Sequence, residues 1–311
     1  MTTTNRAKTY NTRVACILVL LAACNDSAAQ PDPGQGTRPL PAPEQRRNEP
    51  ARCAPAAFPS SVPVREASAA TPWGSGRILV LGDSDTGGRY AIIRAHDGQV
   101  VSGGRLPRPE GSSDDYEGAA RFGDQLCTIT SAGTIACYRQ QGSEMKLAAS
   151  YLAAPRGRQC KSPRHTNCGA NFEGLCSVPP EHERADGCLG FAASKRSNQL
   201  FCLRRAGDGR LTVDPEVHFS VPGVRSLSSC AVGPDGTVFA GTNILGGNGV
   251  WRLTNAGTFD FVGSFGAGNG EALAITSGEL FRWFDNNRPG PSSMLKVRCT
   301  SDILRQTPVA R

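Results

Sequence analysis

Four dipeptides place a carboxylate directly before a small residue: Glu66-Ala67, Glu117-Gly118, Glu173-Gly174 and Glu271-Ala272. Asp114 and Asp115 add two acids beside Glu117. If these peptides sit at one level of a symmetric fold, their side chains converge. Each could then bond backbone N–H groups of a neighbouring strand. Together they could ligate calcium, which takes hard oxygen ligands, with Asp114, Asp115, Glu117, Glu173 and Glu271 as the ligand set. Two of them could serve as the carboxylate pair of a glycoside hydrolase, with Glu117, Glu173 and Glu271 as the catalytic candidates. Aromatic residues are 6% of the chain, and only Trp73, Trp251 and Trp283 supply indoles, so few rings are available to stack on a sugar.

Other chemistry is excluded by what surrounds it. Ile78-Leu79-Val80-Leu81-Gly82-Asp83-Ser84-Asp85 resembles the first block of GDS-type esterases. That family also needs a Gly-x-Asn-Asp block and a late Asp-x-x-His. Neither is present, and none of His96, His165, His182 or His218 has an Asp three residues before it. Ser84 therefore has no base to activate it, and the run reads as a strand and a turn, with Asp83 and Asp85 capping backbone groups. There is no phosphate-binding Gly-x₄-Gly-Lys, no Gly-x-Ser-x-Gly and no His-Glu-x-x-His.

The elements that must position these acids are strands. From about residue 58 the chain is a series of short apolar runs broken by Gly, Asn, Asp and Pro, without a 3.6-residue period. One unit recurs: Tyr90-Ala-Ile-Ile-Arg-Ala-His-Asp-Gly, Ile135-Ala-Cys-Tyr-Arg-Gln-Gln-Gly, Phe201-Cys-Leu-Arg-Arg-Ala-Gly-Asp-Gly, Val250-Trp-Arg-Leu-Thr-Asn-Ala-Gly and Leu295-Lys-Val-Arg-Cys-Thr. The spacings are 45, 66, 49 and 45 residues, the long one containing Cys160 to Cys188. A period near 45 is that of a four-stranded propeller blade. The expected fold is an all-β propeller of five four-stranded blades, stapled by disulfides; an irregular β-sandwich is the competing arrangement. Inner strands are expected at 62–68 in blade one, 226–232 in blade four and 271–276 in blade five. The four Glu-small pairs then fall on the inner strands of blades one, two, three and five, with Ser228-Ser229 in blade four.

The chain holds twelve cysteines among 311 residues. Leu21-Ala22-Ala23-Cys24 closes a short apolar run from Val14, behind a leader with Arg6, Lys8, Arg13 and no acid. This stretch resembles the lipobox of bacterial lipoproteins. The resemblance implies a signal peptide at 1–23, removed with Cys16, and lipid (palmitate among its acyl groups) on Cys24. The apolar run is about half the length of a transmembrane helix. Ten cysteines remain, an even number that reads as disulfides in an exported chain. Cys127 with Cys137 fits one hairpin, Cys160 with Cys168 a small loop, and Cys53 with Cys299 would close the ring. Cys176, Cys188, Cys202 and Cys230 have no assignable partners. Cys160, Cys168, Cys176 and Cys188 with His165 and His182 lack the tight pairs of a zinc site.

Residues 24–52 carry six prolines among Gly, Gln, Arg and Glu and read as an extended tether from the membrane to a propeller at 53–311. Net charge is +7 for the chain, but the leader carries three of those charges. What remains is mild and scattered, with no basic block, so nucleic acid is not an expected partner.

Asp115-Tyr116-Glu117-Gly118-Ala119 and Asn171-Phe172-Glu173-Gly174-Leu175 carry a further likeness. The body is similar to bacterial β-propeller lipoproteins, and more loosely to phytase-like and esterase-like propeller domains. No acid-rich phosphate site is visible, so no catalytic residue transfers. The expected function is a lipid-anchored envelope module that binds an envelope protein or surface ligand without turnover, on the outer rather than the inner membrane. The alternative is a carboxylate hydrolase of sugar or phosphate esters. No cofactor is expected beyond calcium.

Overall fold

A computed structural model of the chain describes residues 53–304 apart from 156, 183 and 286–289. The expected signal peptide, the lipid-bearing Cys24 and the tether lie outside the described residues.

The fold is a β-propeller of five antiparallel sheets. From the axis outward, blade one is Ala67–Pro72, Arg77–Gly82, Arg89–Arg94 and Val100–Arg105; blade two is Tyr116–Phe122, Gln125–Thr130, Thr134–Gln141 and Glu144–Leu152. Blade three is Phe172–Ser177, Gly190–Ser194, Gln199–Arg205 and Leu211–Ser220; blade four is Leu227–Val232, Val238–Thr242, Gly249–Leu253 and Phe259–Ser264. Blade five is Asn269–Thr276, Glu279–Asp285 and Ser292–Cys299, and its outer edge is completed by Cys53–Pro55 from the other end of the domain.

Alternation along each strand explains the assembly. Leu79 and Leu81 of blade one pack with Tyr116 and Tyr138 of blade two. Their neighbours Ile78 and Val80 point the other way and pack with Phe281 and Trp283 of blade five. The remaining clusters join blades two and three, three and four, and four and five. Each sheet is therefore apolar on both faces, which produces continuous apolar runs instead of an in-out pattern.

Blade one departs from its expected boundaries. Val62 does not open its inner strand: Ser61–Val62 pairs with Ser292–Cys299 in blade five, and the inner strand starts at Ala67. The proline at position 63 cannot donate to a ladder and separates the two segments. The inner strand of blade four, Leu227–Val232, matches its expected span of 226–232 to within one residue.

All three expected disulfides form: Cys53–Cys299, Cys127–Cys137 and Cys160–Cys168. Cys176–Cys230 joins the inner strands of blades three and four, and Cys188–Cys202 lies within blade three. Five disulfides belong to an oxidising compartment. Among the described residues no helix is long and apolar enough to cross a membrane.

Cys53 and Cys299 face each other in the strand pair that closes the ring and stand 246 residues apart in sequence. Constraint of the unfolded chain grows with the length of the loop closed, and loss of such a bond costs about 2–5 kcal/mol. Cys53→Ser with Cys299→Ser should lower the melting temperature clearly. The same change at Cys160 and Cys168, 8 residues apart, should lower it less. Thermal unfolding followed by circular dichroism ranks the two; an equal loss would mean that the seam is not the weak point.

Candidate functional site

Each inner strand opens with a β-bulge. Pairing with the second strand slips between Ala67 and Ala69, Tyr116 and Gly118, Phe172 and Gly174, Leu227 and Ser229, and Gly270 and Ala272. The skipped residues are Ser68, Glu117, Glu173, Ser228 and Glu271. A bulge leaves its extra residue unpaired and re-aims the side chain. The small residue that follows meets the next blade: a Cβ on Gly118 would stand 2.2 Å from Leu175 N, and one on Gly174 would stand 2.8 Å from Cys230 N. The Glu-small pairs of blades two and three are thus a bulge followed by a close backbone approach, and that of blade five is a bulge followed by alanine.

Blade one lies two residues out of its expected register. Its bulge residue is Ser68, and Glu66 stands level with Asp115, Asn171, Ser226 and Asn269. Glu66 has a φ of 49° and pairs with Arg65 at 3.2 Å. It is not part of the convergent set.

The serines and the glutamates use the bulge differently. Ser68 Oγ donates to the Tyr116 carbonyl, and Ser228 Oγ to the Gly270 carbonyl at 2.7 Å, each bond reaching the inner strand of another blade. Tying blades together is thus a task for the two serines. Glu173 instead accepts from Asn171 Nδ2 and Lys195 Nζ, both at 2.9 Å, and Glu271 accepts from Asn269. Glu117 is 6% exposed and carries no hydrogen bond or ion pair among the described residues.

A second ring of polar residues, missed in the sequence, completes this mouth of the channel. The first residue after the second strand is Asp83, Ser131, Lys195 and Asn243 in blades one to four, and Asp285 ends that strand in blade five. Its signal was present: the position is polar in every blade. Asp83 does sit in the expected turn, where its carboxylate accepts from Ser84 N. The turn also carries it to the axis. Asp83, Asp115 and Glu117 each offer a carboxylate oxygen, and the three lie within 4.8 Å of one another. Ser131 Oγ donates to Asp115 and accepts from Asn167 N at 3.0 Å, so the loop stapled by Cys160 and Cys168 packs against this mouth. Asp114 is half-buried and lies outside the three-acid group, although its charge raises the Asp115 carboxyl.

Electrostatics follow from burial and like charge. Burial, then the charges of Asp115, Glu173 and Glu271, push Asp83 up to about 8 against a hydrogen bond from Ser84. Glu117 is raised well above the carboxylate range by burial and by Glu173, Asp83, Asp115 and Glu271. Glu271 rises to about 8 by burial and Glu173 charge, and Glu173 to about 7 by burial, which Lys195 opposes. Burial pulls Lys195 down, but Glu173, Glu271 and Glu117 outweigh it and hold the ammonium above its usual value. Arg282, fully buried in blade five, bonds Ser229 Oγ at 2.9 Å and the Gly270 carbonyl at 3.2 Å; burial lowers it to about 10.

No protein-family model and no curated protein matches the sequence. Among solved structures the chain is similar to the glutaminyl cyclase of Myxococcus xanthus, with 14% identity over 79% of this chain and 95% of that one, at a TM-score of 0.49. It is similar to a Bacteroides thetaiotaomicron protein of unknown function, with 10% identity over 75% of this chain and 60% of that one, at 0.46. It is also similar to a β-propeller domain from Myceliophteria thermophila, with 8% identity over 77% of this chain and 99% of that one, at 0.44. Identities this low concern the course of the backbone, and fold alone does not set function. The expected propeller is observed; the likeness to phytase-like and esterase-like domains gains no support from a family model.

The acid cluster makes stability depend on pH in a definite direction. Unfolded, these carboxyls have their ordinary values of 3.8 and 4.5; folded, Asp83, Glu173 and Glu271 reach about 8, 7 and 8. Between those limits the folded form binds more protons, so stability falls as pH rises from about 4 to about 8. In chelator, the melting temperature should drop steadily from pH 5 to pH 8.5. Asp83→Asn, which keeps the neutral form throughout, should flatten the slope. A profile that rises over this range would show that the carboxyls are not protonated in the fold.

Proposed function

We propose that the chain is a lipid-anchored envelope protein whose propeller is a binding module, and that the acidic mouth takes a divalent cation of the calcium class. The observation that carries this reading is the convergence of Asp83, Asp115 and Glu117 from two blades within 4.8 Å. Buried charge needs a partner, and Lys195, whose charge is felt at Asp115, is bonded to Glu173. A second observation is independent of the acids: Asn171 Oδ1 is buried without a donor, on the amide whose Nδ2 bonds Glu173. Hard oxygens, carboxylate and amide, are the donors that calcium takes at about 2.3–2.6 Å.

The same geometry argues against turnover. Carboxylates that flank a glycosidic bond stand about 5–9 Å apart, with the sugar between them. Asp83, Asp115 and Glu117 each offer an oxygen within 4.8 Å of the others, and Asp115 and Glu117 are 3% and 6% exposed, which suits one shared ion better than a sugar ring. Glu173 is engaged by Lys195 and Asn171. The binding partner of the loaded propeller is an envelope protein or a surface ligand.

Calcium added to the full chain in place of chelator should raise the melting temperature, by an amount equivalent to about 2.7 kcal/mol at a hundredfold excess over Kd. Asp83→Asn and Glu117→Gln should fold and lose that rise. Turnover of glycoside or phosphate esters that disappears in Glu117→Gln, Glu173→Gln or Glu271→Gln would replace this reading with the hydrolase. The anchor has its own check. Palmitate labelling of cells should mark the protein and should vanish in Cys24→Ser, with release from the membrane fraction; labelling that survives the substitution would overturn the anchor.

A further inference from the structure

The opposite ends of the same inner strands form a second site. Four residues along the strand from Glu117, roughly 13 Å away, stands Arg121, on the wall of a cavity of about 920 Å³. All five blades line it, with Ala70, Ala119, Leu175, Val232 and Ile275 giving one apolar residue each. Small-molecule sites are concave, mostly apolar and about 300–1,000 Å³, with a few polar groups that fix orientation.

Three arginines of the lining come from three consecutive blades. Arg77, Arg121 and Arg205 come from blades one, two and three. None is paired with a carboxylate among the described residues: Arg121 bonds the Gly123 carbonyl at 3.3 Å and lies 5.2 Å from the Trp73 ring centre, and Arg205 bonds the Gly209 carbonyl at 2.9 Å. Two acids line the cavity among the described residues. Glu279 is neutralised by Lys296 at 2.9 Å and Arg298 at 3.4 Å, and Glu181 is exposed. His96 lies beside Asp97 at 3.2 Å. Guanidinium groups match carboxylate and phosphate oxygens in pairs of bonds.

We infer that this cavity binds an amphipathic anion, its apolar body on the floor of the funnel and a carboxylate or phosphate head against Arg77, Arg121 and Arg205. The inference stands apart from the cation reading, since it uses the other end of the channel and none of its acids.

The test uses the full chain with its disulfides, made unlipidated as Cys24→Ser so that no acyl group competes. Dodecanoate, dodecyl phosphate and dodecanol are titrated by calorimetry, with Trp73 emission as a second signal beside Arg121. Both anions should bind at least tenfold more tightly than the alcohol; binding of the phosphate alone would identify the head. Arg121→Gln and Arg77→Gln should each weaken the anions about tenfold and leave the alcohol unchanged. Ser177→Trp, which fills the mouth, should abolish binding, and Ser277→Trp at the rim replaces it if the first variant does not fold. The inference is overturned by no binding up to millimolar probe, by equal affinity for alcohol and anions, or by a tryptophan variant that folds and binds like the parent.

Discussion

Backbone crowding at the axis governs this protein. Five inner strands surround one channel, and at Gly118 and Gly174 no side chain fits between one strand and the next. The strands can approach this closely only where the chain is small, and the bulge before each small residue turns the preceding side chain out of the ladder. What lies at that preceding position therefore belongs to the channel and not to the blade. The chemistry of the acidic mouth follows from this steric requirement: three bulges carry glutamate, and the turn beyond the second strand adds Asp83 and Lys195.

The same geometry explains the apolar body and its staples. A blade set edge-on to the axis exposes neither face, so each buries one face against each neighbour, and five interfacial cores result. A closed ring has one seam where the chain ends meet. Here Cys53–Pro55 completes blade five and a disulfide fixes it. Cys176–Cys230 acts between the inner strands of blades three and four, beside the contact that Gly174 makes with Cys230.

The sequence carried the fold further than the site. The 45-residue period, the blade-four inner strand and the pairs Cys127–Cys137 and Cys160–Cys168 were legible because turn residues and short loops are local, and Cys53–Cys299 because a ring must close where the two ends of the domain meet. Cys176 and Cys230 were not, since their contact depends on how two blades pack. Blade one was read two residues out of register: Glu66-Ala67 matches the Glu-small pattern, and only pairing shows that Ser68 is the bulge. The run from Ile78 to Asp85 resembles the opening strand of GDS-type esterases for a physical reason, because a propeller strand is also buried on both faces. Asp83 was taken for a turn residue, and it is one; its approach to Asp115 and Glu117 comes from the neighbouring blade and leaves no trace in its own segment. The set of three arginines was invisible because Arg77, Arg121 and Arg205 come from three blades.

The serines decide how the glutamates are to be understood. Ser68 and Ser228 show that the bulge position can be satisfied by one hydroxyl bonded to another blade's backbone. Nothing in the packing requires a longer, charged group there. Glutamate at the same position brings a carboxylate into a buried site already holding Asp83 and Asp115, where like charges raise one another and desolvation penalises each. Such a group stays ionised only with a cation beside it. Lys195 serves Glu173, and Arg282, turned toward Ser229 and Gly270, lies on the side of Glu271. Asp83, Asp115 and Glu117 have no base of their own among the described residues. A mouth without net charge at neutral pH therefore needs either shared protons or a bound cation, and the two alternatives differ in what they do to the fold. Protons hold the mouth together at acid pH and leave as pH rises. A divalent cation takes over where the protons leave, so the site that is weakest without it at neutral pH is the one it strengthens most.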